Sequence, residues 1–133
     1  MRTITATIEK ASDGGYGIYT DINGLIGSGL TEEEAKADFR EVLEEQAAYH
    51  YERTGEYPAW YVDGYEIEYR YDLSGFFLSF PFINASEFAA YVGINPSLMR
   101  KYKSGLVKAG AKQKDLIQAK YNEMIQNLER VKF

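Results

Sequence analysis

The stretch that most constrains this chain runs from Asn84 to Gly105 and reads NASEFAAYVGINPSLMRKYKSG. Asn84 with Glu87 three residues later is a variant of the capping box and marks a helix start. Ala85 to Val92 reads as a short helix with Phe88 and Ala89 facing inward, and Gly93-Ile94-Asn95 interrupts it. Pro96 suits the first position of a second helix, because its fixed φ is already helical and its missing N–H has no partner there. That helix runs to about Ser104, with Gly105 as its natural stop. Two short helices around a Gly-containing turn describe a helix-turn-helix. Ala89 is small where the helices must approach, and Gly93 falls where the turn needs a positive φ. Met99 and Tyr102 form the inward pair of the second helix. Asn95 is left at its entrance, with Ser97, Leu98, Arg100, Lys101 and Lys103 facing outward. Such a helix can enter the major groove and read base edges from its N-terminal half. Lys103, further along, is better placed for phosphate. The same spacing also serves an ordinary helical hairpin in an unrelated core.

Charge divides the chain in a way that bears on partners. The net charge is −5 over 133 residues. Residues 1–83 carry 6 basic and 16 acidic residues, a net −10, whereas residues 84–133 carry 9 basic and 4 acidic residues, a net +5. An acidic front attracts a basic partner and repels nucleic acid, and a basic rear is drawn to phosphate. There is no cysteine, so disulfides and thiolate metal sites are excluded. The N-terminus alternates Thr and Ile without the pattern of a signal peptide, and no apolar run approaches membrane-spanning length. A cytoplasmic protein with no membrane partner is expected.

The front half reads as α+β. Arg2 to Lys10 alternates, with Ile4, Ala6 and Ile8 on one face and Thr3, Thr5 and Thr7 on the other, the period of a half-buried strand. Asp13-Gly14-Gly15 signals a hairpin, and Tyr16 to Ile22 returns as a second strand. A short third strand fits Ile26 to Ser28. The glycines at 24, 27 and 29 match neither the P-loop nor the dinucleotide fingerprint, so turn geometry is their expected role. Thr31 and Glu34 form a capping box that opens a long helix, ending at Thr54-Gly55. Its buried stripe is Ala35, Phe39, Val42, Leu43 and Ala47. Between Pro58 and Tyr71, Asp63-Gly64 marks a tight hairpin. Tyr65, Ile67, Tyr69 and Tyr71 then share one face of a strand opposite Glu66, Glu68 and Arg70. The tyrosines suit packing or a protein interface better than RNA stacking, because the strands are acidic rather than basic. A helix over Asp72 to Phe80 leads into the helix-turn-helix. A last helix over Ala111 to Val131 carries an apolar stripe of Ile117, Tyr121, Met124, Ile125 and Leu128, which serves either to cover the small helical core or to pair with a second subunit.

Catalysis finds little footing. His50 is the only histidine and has no nucleophile at a matching spacing. Glu9, Asp13, Asp21, Glu66 and Glu68 could serve a carboxylate-only metal site by residue type alone, which keeps a metal-dependent nuclease as a rival. No catalytic residue, metal or cofactor is assigned.

The segment Asp13 to Glu45, DGGYGIYTDINGLIGSGLTEEEAKADFREVLEE, resembles the N-terminal domain of HicB antitoxins. The matching residues are Asp13, Gly14, Gly15, Tyr16, Asp21, Gly24, Gly29, Thr31, Glu33, Glu34 and Ala35. The chain departs at Asn23, where that family often has Pro, and at Leu30, where it often has Asp. Tyr102 to Gly105, YKSG, looks like the lambda-repressor-like module that many members carry at the C-terminus. The resemblance implies a degraded ribonuclease H-like N-terminal domain, strands packed on one long helix, over residues 1–71. A small all-α helix-turn-helix domain follows over 72–133. It implies a type II antitoxin that neutralises a small basic mRNA-cleaving HicA-type toxin. It further implies repression of its own operon through operator double-stranded DNA, as a homodimer or higher oligomer. The expected DNA-binding residues are Asn95, Ser97, Leu98, Arg100, Lys101 and Lys103. The expected toxin-binding residues are Tyr19, Asp21, Ile22, Asn23, Glu66 and Glu68. The rivals are an orphan regulator without a toxin, an RNA-binding protein using the tyrosine-rich sheet, and the nuclease.

Overall fold

The computed structural model describes residues 1–22 and 24–133. Four strands form one mixed sheet: β1 (Arg2–Lys10), β2 (Tyr16–Tyr19), β3 (Ile26–Gly29) and β4 (Tyr65–Tyr71), in the order β3-β2-β1-β4. The helices are α1 (Glu32–Thr54), α2 (Ala59–Val62), α3 (Leu73–Ser79), α4 (Ala85–Val92), α5 (Pro96–Ser104) and α6 (Ala111–Glu129). The first three strands form an antiparallel meander, and β4 lies parallel to β1 on its other side, Arg2 facing Tyr65 and Ile8 facing Tyr71. β2 stops at Tyr19, shorter than the alternation predicts.

The sheet buries one face. Ile4, Ala6 and Ile8 of β1 and Ile18 of β2 meet Ala35, Phe39, Leu43 and Ala47 of α1, with Trp60 closing one end. Each large apolar side chain withdrawn from water there contributes roughly 1.5–3 kcal/mol. Thr31 caps α1 as expected, its Oγ1 accepting from the Glu34 amide at 3.1 Å. The Glu34 carboxylate reaches one residue further back than a capping box requires, accepting from Leu30 N–H at 3.2 Å. Val42 is only half-buried.

Two readings need correction. Only Gly24 of the three loop glycines serves a turn, with φ +67°. Gly27 and Gly29 let α1 lie directly on β3, because an added Cβ would come within 2.6 Å of the Phe39 and Ala35 backbone. Asp63-Gly64 is not a hairpin. Pro58 starts the one-turn helix α2, and β4 finds its partner in β1, far back in sequence. The tyrosine face of β4 agrees with the packing reading, Tyr65, Ile67 and Tyr69 lying toward the first core while Tyr71 stays exposed.

A second core holds Phe77, Phe88, Ala89, Val92, Ile94, Met99 and Tyr102. The two cores join through α3, which continues where β4 ends and lies along the last residues of β1. The Asp72 amide donates to Ile8 O (3.1 Å), the Lys10 amide donates to Ser74 Oγ (3.0 Å), and Gly75 sits against the Ile8 carbonyl. α6 has no fully buried residue. Ile117 and Met124 pack on the second core, while Leu128, expected in the same stripe, is exposed, and the helix ends at Glu129 rather than Val131.

Candidate nucleic-acid interface

The local chemistry of α4 and α5 follows from their caps. Asn84 Oδ1 accepts from the Glu87 amide at 2.9 Å and starts α4. Gly93 ends it with φ +81°, a conformation that other residues adopt only at a cost, and its amide donates to Ala89 O. Asn95 then caps α5, its Oδ1 accepting from the amides of Ser97 (2.8 Å) and Leu98 (3.4 Å), and Pro96 opens the helix. Ala89 and Met99 are wholly buried between the two helices and Tyr102 nearly so. One face of α5 is thereby fixed inward and the other left free.

The free face carries Ser97, Arg100, Lys101 and Lys103, all exposed. Arg100 is held in place: its guanidinium donates to Ser86 Oγ (3.3 Å) and Ser97 Oγ (3.1 Å). Lys103 lies 5.8 Å from the Phe77 ring centroid. Two expected contact residues are differently employed. Leu98 is half-buried and packs on the second core. Asn95 spends its carbonyl oxygen on capping, so only its amide donors remain to reach a ligand.

The residues expected to meet a protein partner are only partly gathered. β1 pairs Thr3, Thr5 and Thr7 with Glu66, Glu68 and Arg70 of β4, and Thr7 with Tyr19 of β2. Tyr19, Glu66 and Glu68 therefore share the sheet face opposite α1. There Glu66 accepts from Thr3 Oγ1 (3.0 Å) and Glu68 from Arg70 (3.2 Å). Asp21 is exposed beyond the end of β2, and Ile22 is half-buried and packs toward the first core. Asn23 lies outside the described residues. The carboxylates of the nuclease reading are not gathered into a group of three among the described residues.

Sequence reasoning missed Lys108. Its ammonium bonds Glu9 (2.7 Å) and Asp72 (3.2 Å) and lies 5.0 Å from the Tyr19 ring centroid. Partial burial opposes its charge, but the bonds to Glu9 and Asp72 outweigh that and raise its pKa above the ordinary lysine value. It spans a cleft of about 660 Å³ between the outer sheet face and α6. No spacing in the sequence links residues 9, 72 and 108; the pairing of Ile8 with Tyr71 sets Glu9 near Asp72, and the segment after α5 brings Lys108 to both. His50 serves the end of α1, its Nδ1 2.7 Å from Glu56 O. No protein-family model matches the chain, and neither a curated protein nor a solved structure matches it significantly.

Proposed function

We propose that the chain is a HicB-type antitoxin and autorepressor, without catalytic activity of its own. Its sheet-bearing part binds a small basic toxin, and α4–α5 bind operator DNA. The observation that carries the DNA half is the free face of α5, where Arg100 and Lys101 stand exposed beside a buried Met99–Tyr102 seam. The antiparallel meander with a parallel fourth strand supports the degraded ribonuclease H-like reading of the first part. The acidic outer sheet face, with Glu66 and Glu68 exposed, supports a cationic protein as its partner. Such complementarity mainly speeds association and selects the partner. The covered tyrosines count against the RNA-binding alternative.

Replacing Arg100 and Lys101 together with Ala is expected to weaken operator binding at least tenfold at fixed salt, with the circular dichroism melt unchanged, since both side chains are exposed. Unchanged binding would refute the assignment. Purification of the tagged chain from its host is expected to bring down a small basic protein as well as promoter DNA. Promoter DNA alone identifies an orphan regulator, and RNA alone overturns the reading of the charge division.

A further inference from the structure

We propose that the cavity lined by the end of β1, α3, the start of α4 and the end of α5 is a phosphate-binding pocket. In it a lysine of the acidic sheet-bearing part completes a site formed by the helix-turn-helix. The cavity has a volume of about 580 Å³, and Lys10, Arg100 and Lys103 line it together with Ser86 and Ser104. No carboxylate is among its lining residues, and none of the three cations takes part in an ion pair among the described residues. Three like charges converging on one concavity repel one another, and an anion placed between them turns that repulsion into attraction.

The backbone of Lys10 and the side chain of Arg100 are fixed in place. Lys10 is the last residue of β1, and its backbone is tied to Ser74 Oγ. Arg100 is braced by Ser86 and Ser97. The start of α4 opens onto the same cavity. Asn84 satisfies the Glu87 amide, and the Asn84 carbonyl accepts from Phe88. The Ala85 and Ser86 amides are left at the positive end of the helix without intrahelical partners. Ammonium, guanidinium and amide donors lining one cavity suit a tetrahedral oxyanion with several acceptor oxygens. That group is a phosphate, supplied either by a nucleic-acid backbone or by a free phosphate monoester. In its nucleic-acid form the proposal rests on the helix-turn-helix reading above and adds that the sheet-bearing part itself touches DNA. In its free form it does not need that reading.

The test uses the full chain and two probes. Inorganic phosphate is titrated while backbone amide resonances are followed, and a random-sequence DNA duplex is titrated across a salt series. The variants are Lys10→Gln and, as a control outside the cavity, Lys132→Gln. Phosphate is expected to shift the Ala85 and Ser86 amides in the parent and the control but not in Lys10→Gln. The salt slope of duplex binding is expected to fall by about 0.9 in Lys10→Gln alone. Dependence of duplex binding on Lys10 identifies the nucleic-acid backbone as the source. Lys10-dependent phosphate shifts, with duplex binding absent or indifferent to Lys10, identify a free phosphate. Duplex binding without any dependence on Lys10, together with unshifted amides, overturns the pocket while leaving the helix-turn-helix reading intact. Silence to both probes overturns both.

Discussion

Glu44 shows how a single side chain organises one end of the molecule. Its two oxygens accept from Tyr61 (3.1 Å) and Tyr65 (3.0 Å), and those rings join Trp60 and Tyr57 in a chain of tilted and edge-on contacts. Burial, and then the Glu44 carboxylate, push the Tyr65 phenol up to about 12. A folded-state pKa above the unfolded value of about 10 favours the neutral phenol. The associated stability is therefore complete below the unfolded value and lost as pH rises through about 12. Glu44→Gln removes the negative charge, so in an alkaline ultraviolet titration the late-ionising tyrosine class is expected to move toward lower pH. An alkaline curve identical to the parent's would show that burial alone holds Tyr65.

Elements were legible wherever their signals are local. The caps at Thr31 and Asn84, the stop at Gly105 and the alternation of β1 depend on a few neighbouring residues, and each stands as the sequence reading has it. What depends on distant partners was not legible. Gly27 and Gly29 were read as turn residues because nothing nearby shows that α1 would rest on them. Asp63-Gly64 resembles a hairpin signal, but β4 pairs with β1 instead. Of the residues expected to face outward on α5, Arg100, Lys101 and Lys103 could be placed from helical periodicity, whereas Leu98 packs on the second core, which no local pattern shows. The Asn95 cap is itself testable. Asn95→Ala leaves the Ser97 and Leu98 amides without their acceptor and is expected to cost about 1 kcal/mol in urea unfolding. A loss confined to DNA binding, with stability intact, would assign Asn95 to the ligand rather than to the helix.

At the scale of the whole molecule, two cores are held in one arrangement by a narrow seam. Gly75 is its tightest point, because an added Cβ would stand 2.3 Å from the Ile8 carbonyl oxygen. Backbone cannot yield as a side chain can, so Gly75→Ala is expected to push α3 off β1 at a cost of about 3 kcal/mol. The midpoint of thermal unfolding should fall by roughly 10 °C. Hydrogen exchange should rise first in α3 and at the Lys10 amide. A melt unchanged by that substitution would mean the seam is looser than its geometry shows.

The parallel pairing of β1 with β4 also sets an order of events during synthesis. Arg2 must wait for Tyr65, so the free edge of the first strand stays open while the intervening chain emerges. Closing so long a loop is slow compared with forming a helix. Only once Tyr71 has settled beside Ile8 can α3 take its place along β1. The second core can thus take its final place only after the sheet has closed, so the part of the chain that comes last in sequence is also docked last.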